Sequence, residues 1–347
     1  MFRMFDKLNQ GEVYVIAEMS ANHGGRIEHA LEIVRQAAAA GADCLKIQTY
    51  TADSITIDCA SEAFRIEGGL WDGYHLYDLY TEAGTPYEWQ ERIKQECEHC
   101  GIDFLSTPFD RKAVDFLEEI GCEAYKIASF ELVDLPLIAY AASKGKPMIL
   151  SCGMATAEEI NDAVEACRLA GNENIVLLKC CSEYPANWSD MHLANIPDMR
   201  RRFGVDVGLS DHSVGSIAAV VAVSMGACVI EKHVKLEGID SADSEFSMAM
   251  EDFAAMVEDV RNARRIAGTV QYGPTNKERE NLRFRRSLFV VKDLCAGETI
   301  TEENVRSIRP SGGLKPKFLS EVLGMRAKRD LLFGMPLKME DLEEGQR

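Results

Sequence analysis

Two lysines stand inside hydrophobic runs, Lys46 in CLKIQTY and Lys126 in AYKIAS. A lysine so placed is either turned outward or held toward an anion. With Ser129, Ser151 and Ser210 as hydroxyl donors, the pair would suit a phosphate and a carboxylate. The rival chemistry is a Schiff base, because a buried lysine with a depressed pKa is the usual way to make one. Spacing alone leaves both open. His212 in LSDHS and His233 in IEKH end two neighbouring apolar runs. Such a pair can share one metal, with Glu231 and water in other positions. Imidazole favours Mn, Fe, Co or Zn over Mg or Ca. Asp243, just beyond, suits a sugar hydroxyl as readily as bulk water.

Short β-branched runs must position these groups. The strand candidates are 13–19, 44–49, 103–107, 124–129, 147–152, 175–180, 206–210 and 228–234. Amphipathic, often Ala-rich, helical patterns alternate with them at 28–40, 87–100, 112–120, 135–144, 157–170, 193–203, 215–226 and 251–266. Strict alternation implies a parallel sheet, and eight units imply a closed (β/α)8 TIM barrel. A doubly wound open sheet is disfavoured, because IAEMSANHGG follows the first strand where a G-x-G-x-x-G turn would be needed. The polar residues then gather at the C-terminal strand ends: Glu18, Lys46 and Gln48, Ser106 and Thr107, Lys126 and Ser129, Ser151, Ser210 to His212, Glu231 to His233. Barrel interiors are normally aliphatic, so this recurrence points to a shared mouth.

The connection from Tyr50 to Pro86 is far longer than the usual 2–6 residues and is rich in Tyr, Trp and Asp. It leaves the barrel at its active face and reads as a lid or a substrate-selecting loop. After Gly268 the pattern changes. We place the barrel at 1–270, a linker at 271–285 and a small, mostly β domain at 286–347, in which VVKDLCAGETITEENV and AKRDLLFGMPLKMEDL echo each other. So small a module would need a partner surface.

The composition narrows the function classes. Of 347 residues 38 are basic and 56 acidic, a net charge of −18, which argues against nucleic acid as a partner. No apolar run reaches the ~20 residues of a bilayer span, and the N-terminus lacks the features of a signal peptide, so a cytoplasmic enzyme without a membrane partner is expected. Eleven cysteines are then expected reduced. Cys97 and Cys100 form a lone CxxC without the second pair a zinc site requires. Cys180 and Cys181 read as small apolar filler.

Taken in order, IAEMSANHGG, LKIQTY, LSTPF, YKIAS, LSCGMA, GLSDHS and IEKH resemble the sialic acid synthase family along the whole chain. The segment DLCAGETITEENVRSIRPSGGL resembles its antifreeze-like (SAF) domain. The insertion FRIEGGLWDGYHLYDLYTEAGTPYEW is more similar to pseudaminic acid synthases than to N-acetylneuraminate or legionaminate synthases.

The resemblance implies a condensation of phosphoenolpyruvate with 2,4-diacetamido-2,4,6-trideoxy-L-altrose, with C–O cleavage and release of phosphate. It assigns Lys46, Thr107, Lys126, Ser129, Ser151 and Ser210 to phosphoenolpyruvate. It gives Gln48, Tyr184, Asp243 and Arg309 to the sugar, and Glu18 and Glu231, with the two histidines, to catalysis. His212 and His233 would carry a divalent metal, Mn2+ first, with Mg2+ or Co2+ as alternatives. Arg309 would reach the other subunit's barrel in a domain-swapped homodimer. Ser182 stands where the family usually has asparagine, which leaves its role open. The nearest rival is another nonulosonate synthase with a different amino sugar, and a more distant one is a Schiff-base pyruvate aldolase.

Overall fold

The computed structural model describes residues 2–344, so 345–347 of the expected C-terminal domain lie outside the described residues. The chain divides into two compact units between Gly268 and Thr269. In the first, an opening helix α1 (Met4–Asn9) precedes eight parallel strands: β1 (Tyr14–Glu18), β2 (Cys44–Thr49), β3 (Asp103–Pro108), β4 (Tyr125–Ile127), β5 (Met148–Ser151), β6 (Ile175–Cys180), β7 (Asp206–Asp211) and β8 (Val229–Lys235). Each pairs with the next, and β8 returns to β1 with His233 opposite Glu18, so the barrel is closed.

Side chains alternate across a strand, and the alternation explains both cores. Tyr14, Ile16, Cys44, Leu105, Ile149, Val176, Leu178 and Val229 form one cluster inside the barrel. Their neighbours Val15, Ala17, Leu45, Ile47, Leu150, Leu177 and Leu209 belong to a larger cluster under the helices. Inside, the same parity continues from aliphatic residues to Glu18, Lys46, Ser151, Ser210 and Glu231 at the C-terminal ends. At the opposite end, Phe2 and Met4 join the inner cluster and plug the floor. Arg3 and the Tyr14 hydroxyl both bind the Asp103 carboxylate there, at 2.8 and 2.6 Å. This plug has no counterpart in the eight-unit pattern.

The outer helices are α2 (Ile27–Ala39), α5 (Tyr87–Cys100), α6 (Arg111–Glu119), α7 (Leu135–Ala142), α8 (Ala157–Leu169), α9 (Asn195–Phe203), α10 (Ile217–Ser224) and α11 (Met250–Ala267). Several start where side chains satisfy free backbone N–H groups: Asp110 accepts from Ala113, Asp134 from Leu137, and Thr156 with Glu159 forms a capping box. Between β2 and α5 the insertion folds into α3 (Ala52–Ile55) and α4 (Leu76–Ala83) rather than staying a bare loop. A short β9 (Met248–Ala249) continues beside β8. The fourth strand ends at Ile127, short of the expected Ser129, because Ser129–Glu131 winds into a 3-10 turn. No helix among the described residues is long and apolar enough to cross a membrane.

In the second unit, β10 (Ser287–Val290) and β11 (Val305–Ile308) form one antiparallel pair. After α12 (Leu319–Val322), β12 (Arg326–Ala327) and β13 (Leu342–Glu343) form another, around Leu288, Val290, Leu294, Leu331 and Leu337. The two echoing stretches meet reciprocally. Asp293 accepts the N–H of Phe333 at 2.6 Å, Asp330 accepts that of Ala296 at 2.8 Å, and Leu294 bridges Leu331. The expected linker holds a 3-10 turn at Glu278–Phe284.

Candidate active site

The strand ends open into a cavity of about 450 Å3. Lys46, Gln48, Lys126, Ser129, Ser151, Tyr184, Ser210, His212, Glu231, His233 and Asp243 all line it, as does Ser182. At its deep end the Lys46 ammonium lies 3.0 Å from Glu18 and 3.4 Å from Glu231, and donates to Thr107 at 3.4 Å. Lys126 donates to Ser151 at 2.5 Å and stands 3.9 Å from Glu231. Ser210 donates to Glu231 at 3.1 Å, and Gln48 to Glu18 at 3.1 Å. All but half-buried Gln48 are almost fully buried.

Burial and mutual charge set the protonation here. Burial works against the Glu231 carboxylate, but Lys126 and Lys46 hold it below the usual range. Glu18 is pushed up by burial, with Glu231 adding to the effect and Lys46 opposing it. Lys46, although buried, is raised by Glu18 and Glu231, whereas burial leaves Lys126 lowered. Two cations and two carboxylates therefore sit together at the floor of the cavity, ringed by hydroxyls.

Nearer the mouth the two histidine rings meet edge-on, inclined at 62°, with centroids 5.3 Å apart. His212 Nδ1 lies 2.9 Å from the Cys181 carbonyl, which leaves Nε2 for another partner. His233 is held neutral by burial and by His212, and its Nδ1 is buried without a hydrogen-bond partner. Tyr184 packs on His212 at 4.3 Å and Phe246 on His233 at 4.9 Å. The pair fits a metal as a two-imidazole site. Among the described residues no group of three or more His, Cys, Asp or Glu completes such a site, and Glu231, expected beside the histidines, is engaged instead by Lys46, Lys126 and Ser210.

Alternation also corrects three strand-end residues. Ser106 turns outward and meets Thr49 at 2.5 Å. Asp211 and Lys232 turn outward too, as an ion pair of 2.9 Å behind the histidines. Arg309 lies in the second unit, on an exposed turn after β11. Cys180 is a further correction. It lines the cavity, with its Sγ 3.7 Å from His212 Nδ1; burial opposes the thiolate, but His212 brings the thiol down to about 7. Sequence reasoning missed Glu131, two residues beyond Ser129. It also lines the cavity, its Oε2 has no partner, and burial pushes its carboxyl up to about 7. Only its closeness to YKIAS could have signalled it. Ser20, bound by Gln48 at 3.0 Å, was missed as well. Gly153 must be glycine: a Cβ there would stand 2.1 Å from the Ser182 hydroxyl and 2.8 Å from that of Ser129.

The insertion reaches over this mouth. Trp71 donates its indole N–H to the Ala242 carbonyl at 2.9 Å and packs on Tyr184 at 5.6 Å. Asp243, next to that anchor, is buried, which raises its carboxyl, and accepts from the Ala21 N–H at 3.5 Å.

Comparison with known proteins adds a second line of observation. The NeuB family matches residues 33–272, and the SAF domain residues 285–343. The pseudaminic acid synthase of Campylobacter jejuni subsp. jejuni serotype O:2 is 46% identical over 96% of this chain and 97% of its own. The N,N'-diacetyllegionaminic acid synthase of Legionella pneumophila is 32% identical over 95% and 94%. Among solved structures, the N-acetylneuraminic acid synthetase of Leptospira borgpetersenii, in complex with citrate, superposes with a TM-score of 0.69 at 31% identity, covering 78% of this chain and 90% of that one.

Proposed function

The chain belongs to the NeuB family and carries a SAF domain, and from that premise we propose that it works as a pseudaminic acid synthase. It condenses phosphoenolpyruvate with 2,4-diacetamido-2,4,6-trideoxy-L-altrose and water, giving pseudaminic acid and phosphate. The observation that carries this reading is the paired buried lysines, Lys46 and Lys126, set among hydroxyls at the floor of a cavity with two neighbouring histidines above.

Lys46 and Lys126, with Thr107, Ser129, Ser151 and Ser210, take the phosphate and carboxylate of phosphoenolpyruvate. Charge-assisted bonds in a site this dry are strong and pre-set. C3 of the enol then bonds to the aldehyde carbon of the sugar, and the aldehyde oxygen takes up a proton. Glu131, which lines the cavity and is pushed up to about 7 by burial, is suited to supply it. Water adds at C2, and the C2–O bond to phosphate breaks. Glu18 and Glu231 orient the reacting centre and take the proton from that water. Gln48, Tyr184 and Asp243 hold the sugar. A divalent metal, Mn2+ before Mg2+ or Co2+, would be held by His212 and His233 and would supply Lewis-acid polarisation at the aldehyde or the water.

Burial lowers Lys126, as a Schiff-base lysine requires, but Lys46 is held charged by two carboxylates and the 46% identical relative is a pseudaminic acid synthase, so an aldolase is the weaker reading. The SAF domain would sit over a second subunit, Arg309 reaching the sugar there in a domain-swapped homodimer. Free thiols throughout suit a reducing cytoplasm.

Phosphate release from phosphoenolpyruvate tests the reading, with the trideoxy sugar against N-acetylmannosamine and EDTA as control. Turnover of the trideoxy sugar alone supports it. Turnover of N-acetylmannosamine alone overturns the sugar assignment. Borohydride trapping of a pyruvate adduct on Lys46 or Lys126 would instead make it an aldolase.

A further inference from the structure

The cavity is two-faced along its length. Its floor is Lys46, Lys126 and Glu231, while toward the insertion it is walled by Ile55, Ile66, Leu76 and Leu79. All four aliphatic residues come from the single long connection between β2 and α5. Leu79 is buried and the other three are half-buried, and all four line the cavity. A polyhydroxylated chain end would lose its water against these four side chains, which return no hydrogen bond, although Tyr50, Trp71 and Tyr80 of the same connection line the cavity too. A methyl group gains from the same contact.

The reaction fixes which end of the sugar arrives there. The aldehyde carbon, C1, must lie with the phosphoenolpyruvate groups at the floor, so the open chain runs outward and C6 is the end farthest from the lysines. We propose that Ile55, Ile66, Leu76 and Leu79 form a subsite for the C6 methyl group, and that this wall makes the enzyme choose a 6-deoxy sugar over its 6-hydroxy counterpart. The inference rests on the synthase reading above. It adds the residues that read the sugar's far end.

An apolar pocket rejects an added hydroxyl only modestly, so the wild-type preference in kcat/KM is expected to be about ten- to a hundredfold. The probes are 2,4-diacetamido-2,4,6-trideoxy-L-altrose and its 6-hydroxy analogue, each assayed with phosphoenolpyruvate. Leu76→Asn should cut the preference by about fivefold or more, through the KM for the 6-deoxy sugar. Leu76→Met, which stays apolar, should retain it. Ile66→Thr, a milder change on the same wall, gives an independent reading should Leu76→Asn fold poorly. Equal use of the two sugars by the wild type would overturn the proposal, and so would a preference unmoved in the polar variants. Turnover of N-acetylmannosamine in place of either probe would overturn the sugar assignment on which this inference rests, and borohydride trapping of a pyruvate adduct would overturn the synthase reading itself.

Discussion

Lys232 and Asp211 form an ion pair of 2.9 Å on the outer face of the barrel, one residue away from each histidine that faces the cavity. Neither side chain has access to water. The ammonium also donates to the carbonyls of Ser213 and Gly215, and the Asp211 carboxylate accepts from the Ser213 backbone and hydroxyl at 2.9 and 2.7 Å. One charged pair thus ties β7, β8 and the turn after β7 together behind the two imidazoles. Breaking a buried pair from one side strands a charge and typically costs about 3–5 kcal/mol, while replacing both partners with apolar groups costs far less.

Lys232→Met and Asp211→Leu should therefore each be strongly destabilising in urea, whereas the double variant should recover much of the loss. Equal additive losses would mean that the pair acts as two independent residues.

If His212 and His233 hold a divalent metal as proposed, EDTA should abolish phosphate release and Mn2+ should restore it. His212→Ala and His233→Ala should bind Mn2+ at least about tenfold more weakly in a calorimetric titration without substrate, as expected when one of few ligands is lost. Unchanged affinity in both would remove the histidines from the metal site.

Lys126→Met should raise the KM for phosphoenolpyruvate by about tenfold or more, since a charge-assisted bond is worth roughly 1.5–3 kcal/mol. The KM for the sugar should move far less. Equal rises in both would argue for a collapsed cavity instead of a lost anion contact.

The Glu131 carboxyl is raised by burial to about 7, with Lys126 opposing and Asp134 assisting. A carboxyl raised in the folded state adds stability below its unfolded pKa of about 4.3, and the benefit is lost as pH rises through the folded value. Wild-type stability should thus fall by about 3–4 kcal/mol relative to Glu131→Gln between about pH 4 and about pH 7, then run parallel above. Parallel curves over the whole range would place the titration elsewhere.

Arg309→Ala should raise the KM for the sugar more than that for phosphoenolpyruvate. Mixing it with Lys126→Met should regain activity, because one hybrid site would then hold both native residues. No recovery on mixing, with dimers intact, would count against a contribution in trans.

The barrel was legible because period-two strands and 3.6-period helices leave strong marks, and β2, β6 and α5 begin and end where the pattern places them. Most of the polar cavity lining followed from that, since strand-end parity gathers Lys46, Lys126, Ser210 and Glu231. Three things were not legible. Whether Asp211, Lys232 or Ser106 faces in or out depends on register, which a one-residue shift reverses. Glu131 and Cys180 acquire their character from desolvation and from neighbours distant in sequence. The floor plug of Phe2 and Met4 is a short segment with no periodicity to read.

That plug closes the strand-start end of the barrel, so the proposed reaction chamber is approached from the strand-end side. In the proposed reaction phosphate would be held at the bottom by Lys46 and Lys126, with the sugar between them and the entrance. Traffic is then last in, first out. Phosphoenolpyruvate is therefore expected to enter ahead of the sugar, and inorganic phosphate to leave after the nine-carbon acid above it. Product inhibition should carry that signature, with phosphate competing against phosphoenolpyruvate rather than against the sugar.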